Sequence, residues 1–219
     1  MFSQAVVSMI GKGILETLYM TLLSFVLAYV LGLPMGILLV VTDKEGIAPF
    51  VILNKVLNFI INLFRSIPFV ILLITLMPFT RALIGTTLGP NALVVPLVIG
   101  SAPYIARLVE SSLKEVDGGI VEAAQSMGAS PMQIVFKVLI PEAKPSLIMG
   151  GAIAIITILG ETAMGGFVGA GGLGTIAVNH GYYRNETDIM LVTVTILIII
   201  VQAFQELGNR SMKRTDKRL

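Results

Sequence analysis

Cysteine is absent from the 219 residues, which excludes disulfides, thiolate metal sites and cysteine nucleophiles and says nothing about redox compartment. Charge is scarce as well. Asp, Glu, Lys and Arg make up only 13% of the chain, about half the share of an ordinary soluble domain. The net charge of +2 provides no global basic field for nucleic acid. The opening MFSQAVVSMIGKG lacks a basic start and a small-residue cleavage site, so it reads as a mature amino terminus leading into an uncleaved membrane helix. No G-x-x-x-x-G-K-[ST] occurs. Without that phosphate-cradling loop the chain is not expected to supply the energy for pumping by itself. His180 is the single histidine; without a cysteine or carboxylate cluster it reads as a surface-loop residue rather than a metal ligand. No serine, aspartate and histidine set suggests hydrolysis, and there is no internal repeat or low-complexity tract.

What the chain has is apolar length. It is 55% hydrophobic with a mean hydropathy of +0.91. Crossing roughly 30 Å of hydrocarbon takes about 20 apolar residues in a helix, and five segments qualify: 17–41, 56–79, 88–106, 147–168 and 189–204. Pro34 is expected to kink the first. An odd number of spans puts the termini on opposite sides. With the carboxyl terminus inside, the inner face receives Lys44, Lys55, Arg107, Lys114, Lys137, Lys144, Arg210, Lys213, Arg214, Lys217 and Arg218, while the outer face keeps Lys12, Arg81 and Arg184. That bias predicts N-out and C-in, an all-α integral membrane protein forming one transmembrane domain over 1–219, and a cytoplasmic loop from about 108 to 146. The tail NRSMKRTDKRL reads as a solvated inner-face anchor.

That loop holds the best helix signals outside the apolar runs. Asp117 is the expected N-cap of a helix ending near Met127, with Gly128 at its C′ position. Ser130, Pro131 and Gln133 have the capping-box spacing of a second helix, limited by Pro141 and Pro145. Ile120, Ala123, Ala124 and Met127 fall at i, i+3, i+4 and i+7 as one narrow apolar stripe. Two readings fit this hairpin (117–141): a loop packed on its own membrane domain, or a short helix presented to a partner's groove.

The order Glu122-Ala123-Ala124, Gly128, Val138, Ile140, Pro141 resembles the permease motif of bacterial ABC importers, departing from it only aliphatic for aliphatic. With FRSIPF (64–69), PFTR (78–81), APYIAR (102–107), SMGASPMQIVFKVLIPEA (126–143) and AMGGFVGAGGLG (163–174), the chain is similar to the methionine importer permeases of the MetI type. The resemblance implies a type I importer permease fold in the bacterial inner membrane. Its coupling helix would dock on an ATP-hydrolysing subunit through Glu122, Ala123, Ala124, Met127, Gly128 and Pro141. Implied partners are a second copy of the chain, two ATP-binding cassette subunits that hold ATP and Mg²⁺, an extracytoplasmic solute-binding lipoprotein, and membrane lipid. The implied substrate is D- and L-methionine, on the resemblance alone. Another amino acid or small solute, an ATP-independent channel, a secondary transporter and a membrane-embedded enzyme stand as alternatives.

GAGGLG (169–174) matches G-x-G-x-x-G literally, but the dinucleotide fingerprint needs a βαβ setting. A glycine turn beside the translocation path is the expectation here. Two intramembrane charges stand out because such residues are costly. Arg65 either snorkels to the cytoplasmic interface or pairs with an acidic group. Glu161 is protonated, hydrogen-bonded to a neighbouring helix, or lining the path. If the fourth span lines a dimer axis, the constriction is expected at ETAMGG, with Met164 as an adaptable plug beside Glu161 and with Gly165 and Gly166 letting backbones close; the alternative is that Met164 is ordinary helix packing.

Overall fold

In hydrocarbon no water satisfies a free backbone N–H or C=O, so an apolar run must fold as a helix. The computed structural model describes residues 4–215; the first residues of the expected amino-terminal segment, and Lys217 and Arg218 of the tail, lie outside the described residues. Among the described residues, four helices are long and apolar enough to cross a membrane: α1 (Gln4–Val41), α5 (Pro90–Lys114), α9 (Lys144–Met164, continued by a 3₁₀ turn Gly165–Val168) and α11 (Thr187–Thr215). All four overrun the predicted limits. α1 remains one helix through Pro34.

The second predicted span is not a single straight helix. α2 (Val51–Arg65) stops at Ser66, α3 (Phe69–Thr75) starts after Pro68, and the chain bends by 98° between them. Pro68 has no N–H to donate, and its ring disfavours helical backbone at the residue before it. Ser66 ends α2 by donating both its N–H and its hydroxyl to the Asn62 carbonyl, at 3.0 and 2.8 Å. α4 (Met77–Ile84) follows and closes on Gly85 at φ +85°. A fifth span exists only if the bent α2–α3 pair counts as one.

The chain divides into two compact units. One comprises the described part of Met1–Ala28 with Ile67–Gly100 and Ile155–Gln205. Its core is Met20, Leu73, Leu93, Leu97, Ile158 and Ala170, with Phe25, Phe69 and Val168 packed against them. The other comprises Tyr29–Ser66, Ser101–Ala154 and the described part of Glu206–Leu219. Its core is Leu39, Ile61 and Ala106, flanked by Met35 and Leu57. There α1 and α5 meet backbone to backbone. A Cβ on Gly32 would lie 2.8 Å from the Ala102 carbonyl oxygen, and one on Gly36 only 2.6 Å from that of Ala106. Such small-residue spacing lets helices approach when burial alone cannot drive them together.

Leu15, Ile52, Phe59, Leu191 and Ile199 are all exposed by 60% or more. Outward faces of this kind suit hydrocarbon or another chain rather than water.

Candidate functional site

The 117–143 segment forms the predicted hairpin. α6 (Gly118–Ser126) begins at Asp117, whose carboxylate accepts the Gly119 N–H at 2.7 Å. It ends through Gly128 at φ +77°, with the Gly128 N–H donating to the Gln125 carbonyl and that of Ala129 to Ala124. A Cβ at 128 would meet nothing within 4 Å, so glycine is required there by backbone conformation and not by space. Both halves of the capping box form: the Ser130 N–H donates to Gln133 Oε1 at 2.8 Å, and the Gln133 N–H to Ser130 Oγ at 3.4 Å.

α7 (Pro131–Ile134) then widens into a π-helical turn, Val135–Leu139, before α8 (Ile140–Glu142). Pro141, expected from sequence to limit this second helix, does not end the helical path, which runs on through it. Lacking an N–H, it sits beyond a turn in which the Ile140 N–H reaches back five residues to Val135.

Ile120 and Met127 are 43% and 82% exposed, and Glu122, Ala123, Gly128 and Pro141 are at least partly open to the surface. Ala124 departs from the predicted stripe and is buried. Its carbonyl accepts the returning Ala129 N–H, which puts it inside the turn. Met132 and Phe136 extend the exposed apolar surface. Their i, i+4 spacing after Ser130 was the sequence signal for them.

The other predicted site lies at the end of α9. Met164 is 41% exposed. Gly160 is exposed too, and a Cβ there would meet nothing within 4 Å. Phe167, unforeseen from sequence, continues this outward row at 66% exposure. Glu161 is partly buried and has an interaction within the chain. Gly165 and Gly166 are buried and do not belong to the outward row. Gly165 packs on Leu93 and Ala170, and Gly166 on the backbone of Gly174. Their smallness serves a contact within the chain itself.

GAGGLG forms a left-handed turn, with Gly169, Gly171 and Gly172 at φ +73°, +88° and +74°, leading into α10 (Gly172–Ile176) and a π-helical turn Ala177–Tyr182. No strand precedes it among the described residues, so the dinucleotide geometry is missing. Beyond it, His180 Nδ1 lies 3.0 Å from Glu186 Oε2.

Arg65 is exposed and makes no ion pair among the described residues. Arg107, by contrast, is paired. Its Nη1 meets Glu110 Oε2 at 2.5 Å, and its Nη2 donates to Asn58 Oδ1 at 2.6 Å and Asn62 Oδ1 at 2.9 Å. Glu110 also binds Lys114 Nζ at 2.9 Å, and Lys114 reaches Asp43 Oδ2 at 3.1 Å. Asn58 donates to Asn54 Oδ1, and Asn54 to the Leu39 carbonyl. One polar chain thus ties α1, α2 and α5. Beyond the end of α1, the hydrogen bond from Lys114 holds the Asp43 carboxyl below its ordinary pKa. The sequence pattern puts Arg107 on the inner side just beyond the third span and does not reveal this network, although Asn54, Asn58 and Asn62 repeat every four residues.

A family model described as binding-protein-dependent transport system inner membrane component matches residues 28–219. A probable D-methionine transport system permease protein MetI of Vibrio cholerae is 44% identical over 203 residues, 93% of this chain and 90% of that protein. The methionine import system permease protein MetP of Bacillus subtilis is 49% identical over 203 residues, 93% of this chain and 91% of that protein. A solved structure of the MetNI methionine ABC transporter in inward-facing conformations aligns at TM-score 0.97 and 44% identity, covering 99% of this chain and 100% of that one.

Proposed function

Because the chain belongs to the family of binding-protein-dependent transport system inner membrane components, we propose that it is the membrane-spanning permease subunit of an ATP-driven methionine importer. The observation that carries this reading is the end-to-end match to a methionine transporter's chain, whose all-α type I importer permease fold it shares. Two copies would enclose the path, each docked on an ATP-binding cassette subunit that holds ATP and Mg²⁺. A solute-binding lipoprotein would deliver substrate from the outer side. The carboxyl terminus would be cytoplasmic, in line with the lysines and arginines of its last turns.

The hairpin is the coupling element in this reading. Glu122, Ala123 and Met127 face outward with Ile120, Met132 and Phe136, an apolar knob with one carboxylate that suits a groove on the ATPase. Ala124 and Gly128 shape the turn from within, and Pro141 sets the π-helical turn behind it. ATP-driven closure of the ATPase pair moves this knob, and the permease switches access from the inner to the outer side. Met164 supplies the constriction: its exposed, unbranched side chain can seal against a second copy and yield to a solute. Glu161 stands one turn away, and Gly165 and Gly166 hold the constriction against its own chain.

The test is uptake of labelled L-methionine by proteoliposomes holding the permease, its ATPase and the binding protein. ATP-dependent uptake, competed by D-methionine and not by other amino acids, is expected. Uptake without ATP would overturn the importer reading. ATP-dependent uptake of a different solute, with methionine inert, would overturn the substrate.

A further inference from the structure

The glycine turn at 169–174 lacks the nucleotide-binding setting, yet its backbone is held from two sides. The Gly172 N–H donates to Glu16 Oε2 at 2.8 Å, and the Leu173 N–H to Thr17 Oγ1 at 2.9 Å. These are first-turn amides of α10, which have no acceptor inside their own helix. α1 therefore caps a helix 156 residues away in sequence. A Cβ on Gly171 would stand 2.7 Å from Glu16 Oε2, and one on Gly172 would stand 2.7 Å from Thr17 Oγ1. Both glycines are also at positive φ, so neither tolerates a side chain beneath its cap. Thr17 is 2% exposed, and Glu16 keeps Lys12 Nζ at 3.6 Å on its outer side.

The opposite side of α10 lies on the end of α9. A Cβ on Gly166 would meet the Gly174 carbonyl oxygen at 2.5 Å, and one on Gly174 would run into the Ala163 backbone. The Ala170 N–H closes the turn by donating to the Gly165 carbonyl at 3.1 Å. At Gly166 and Gly174 the contact is backbone against backbone. A shift of α10 therefore bears directly on the backbone of residues 163–166.

We propose that Glu16 and Thr17 are positioning residues for the constriction: through α10 they set the backbone that carries Met164. This inference rests on Met164 being the gate, and the experiment separates the two. In the assembled transporter, hydrogen exchange is followed over residues 163–174, together with thiol labelling of Met164→Cys, the only cysteine of an otherwise cysteine-free chain. Glu16→Ala should speed exchange in this segment by about tenfold, the weight of one ordinary N-cap. It should also raise labelling at position 164 while ATP hydrolysis loses its dependence on substrate. Glu16→Gln keeps an acceptor oxygen and should bring both readouts back most of the way. Thr17→Val, nearly isosteric, should give the milder form and serves if Glu16→Ala fails to assemble.

Unchanged exchange in an assembled Glu16→Ala or Thr17→Val variant overturns the proposal. So does faster exchange with unmoved labelling when position 164 is accessible in the parent. If position 164 is inaccessible throughout the ATP cycle while exchange responds, the gate reading fails and the clamp on 163–174 stands.

Discussion

Replacing Arg107 with methionine should lower thermal stability by an amount the structure bounds. The change removes two donations to Asn58 and Asn62 and one ion pair with Glu110. Polar contacts between membrane helices average about 0.6 kcal/mol and reach about 1.7 kcal/mol, so the two asparagine bonds together supply about 1–3 kcal/mol. The ion pair requires a separate judgement. A buried charge that loses its only partner costs about 3–5 kcal/mol, but Glu110 keeps Lys114 at 2.9 Å. The Arg107 and Glu110 side chains are 21% and 12% exposed, so some water also remains. The loss of the pair is therefore well under the orphaned-charge figure, about 1 kcal/mol. The sum is about 3 kcal/mol, a fall in Tm of roughly 6–12 °C for a chain of this size. Unfolding is best followed by circular dichroism in detergent, since the chain contains no tryptophan. Arg107→Met/Glu110→Gln should cost less than the sum of its two single changes, because each of them removes the same Arg107–Glu110 pair. A single variant within about 2 °C of the parent, or a double variant less stable than the parent by the full sum of the two single changes, would refute the reasoning.

At the hairpin, Gly128→Val should cost about 1–2 kcal/mol of local order, because a β-branched residue is forced into left-handed backbone. The variant should insert normally and bind the ATPase less tightly, with Gly128→Asn milder; equal co-purification of all three forms would count against the coupling role. Met127→Asp should weaken the same association without moving Tm, since the side chain is 82% exposed; retention on an immobilised ATPase subunit reads this directly. Gly36→Leu should abolish accumulation of folded chain, because even its Cβ would sit 2.6 Å from the Ala106 carbonyl oxygen; folded yield after detergent extraction measures it. The Asp43 carboxyl is held below its ordinary pKa by Lys114, so its contact stabilises above the ordinary carboxylate range and is lost as pH falls through the folded value. The Tm gap between parent and Asp43→Asn should accordingly shrink on acidification and in high salt; a gap constant across pH would contradict it.

Residues that act on their own backbone were legible in the sequence. Asp117, Gly128 and the Ser130–Gln133 box each act within four residues, so a residue type at a fixed offset states its role. The apolar runs were legible for a different reason: length against bilayer thickness leaves few choices. The break between α2 and α3 was within reach, since Ser66-Ile67-Pro68 interrupts the run where proline forbids continuation, but the span length concealed it.

What stayed hidden depends on partners far along the chain. Arg107 is 49 residues from Asn58, and Glu16 is 156 from Gly172. Neither pairing leaves a local trace. The first pairing nevertheless left a mark on one helix: the asparagines at 54, 58 and 62 make a polar row that hydrocarbon would not tolerate unpartnered. A polar row on an apolar helix requires a donor or an acceptor elsewhere in the same membrane. The only basic residue inside the predicted second span, Arg65, lies on that same helix at its exposed end, so the complement had to come from another helix. Arg107, first basic residue after the third apolar run, was the nearest candidate. The counting of positive charges assigned it to the inner surface, and in the structure the same guanidinium ties the asparagine row to Glu110. A charge just beyond a span, which composition alone reads only as a mark of sidedness, can thus also join helices.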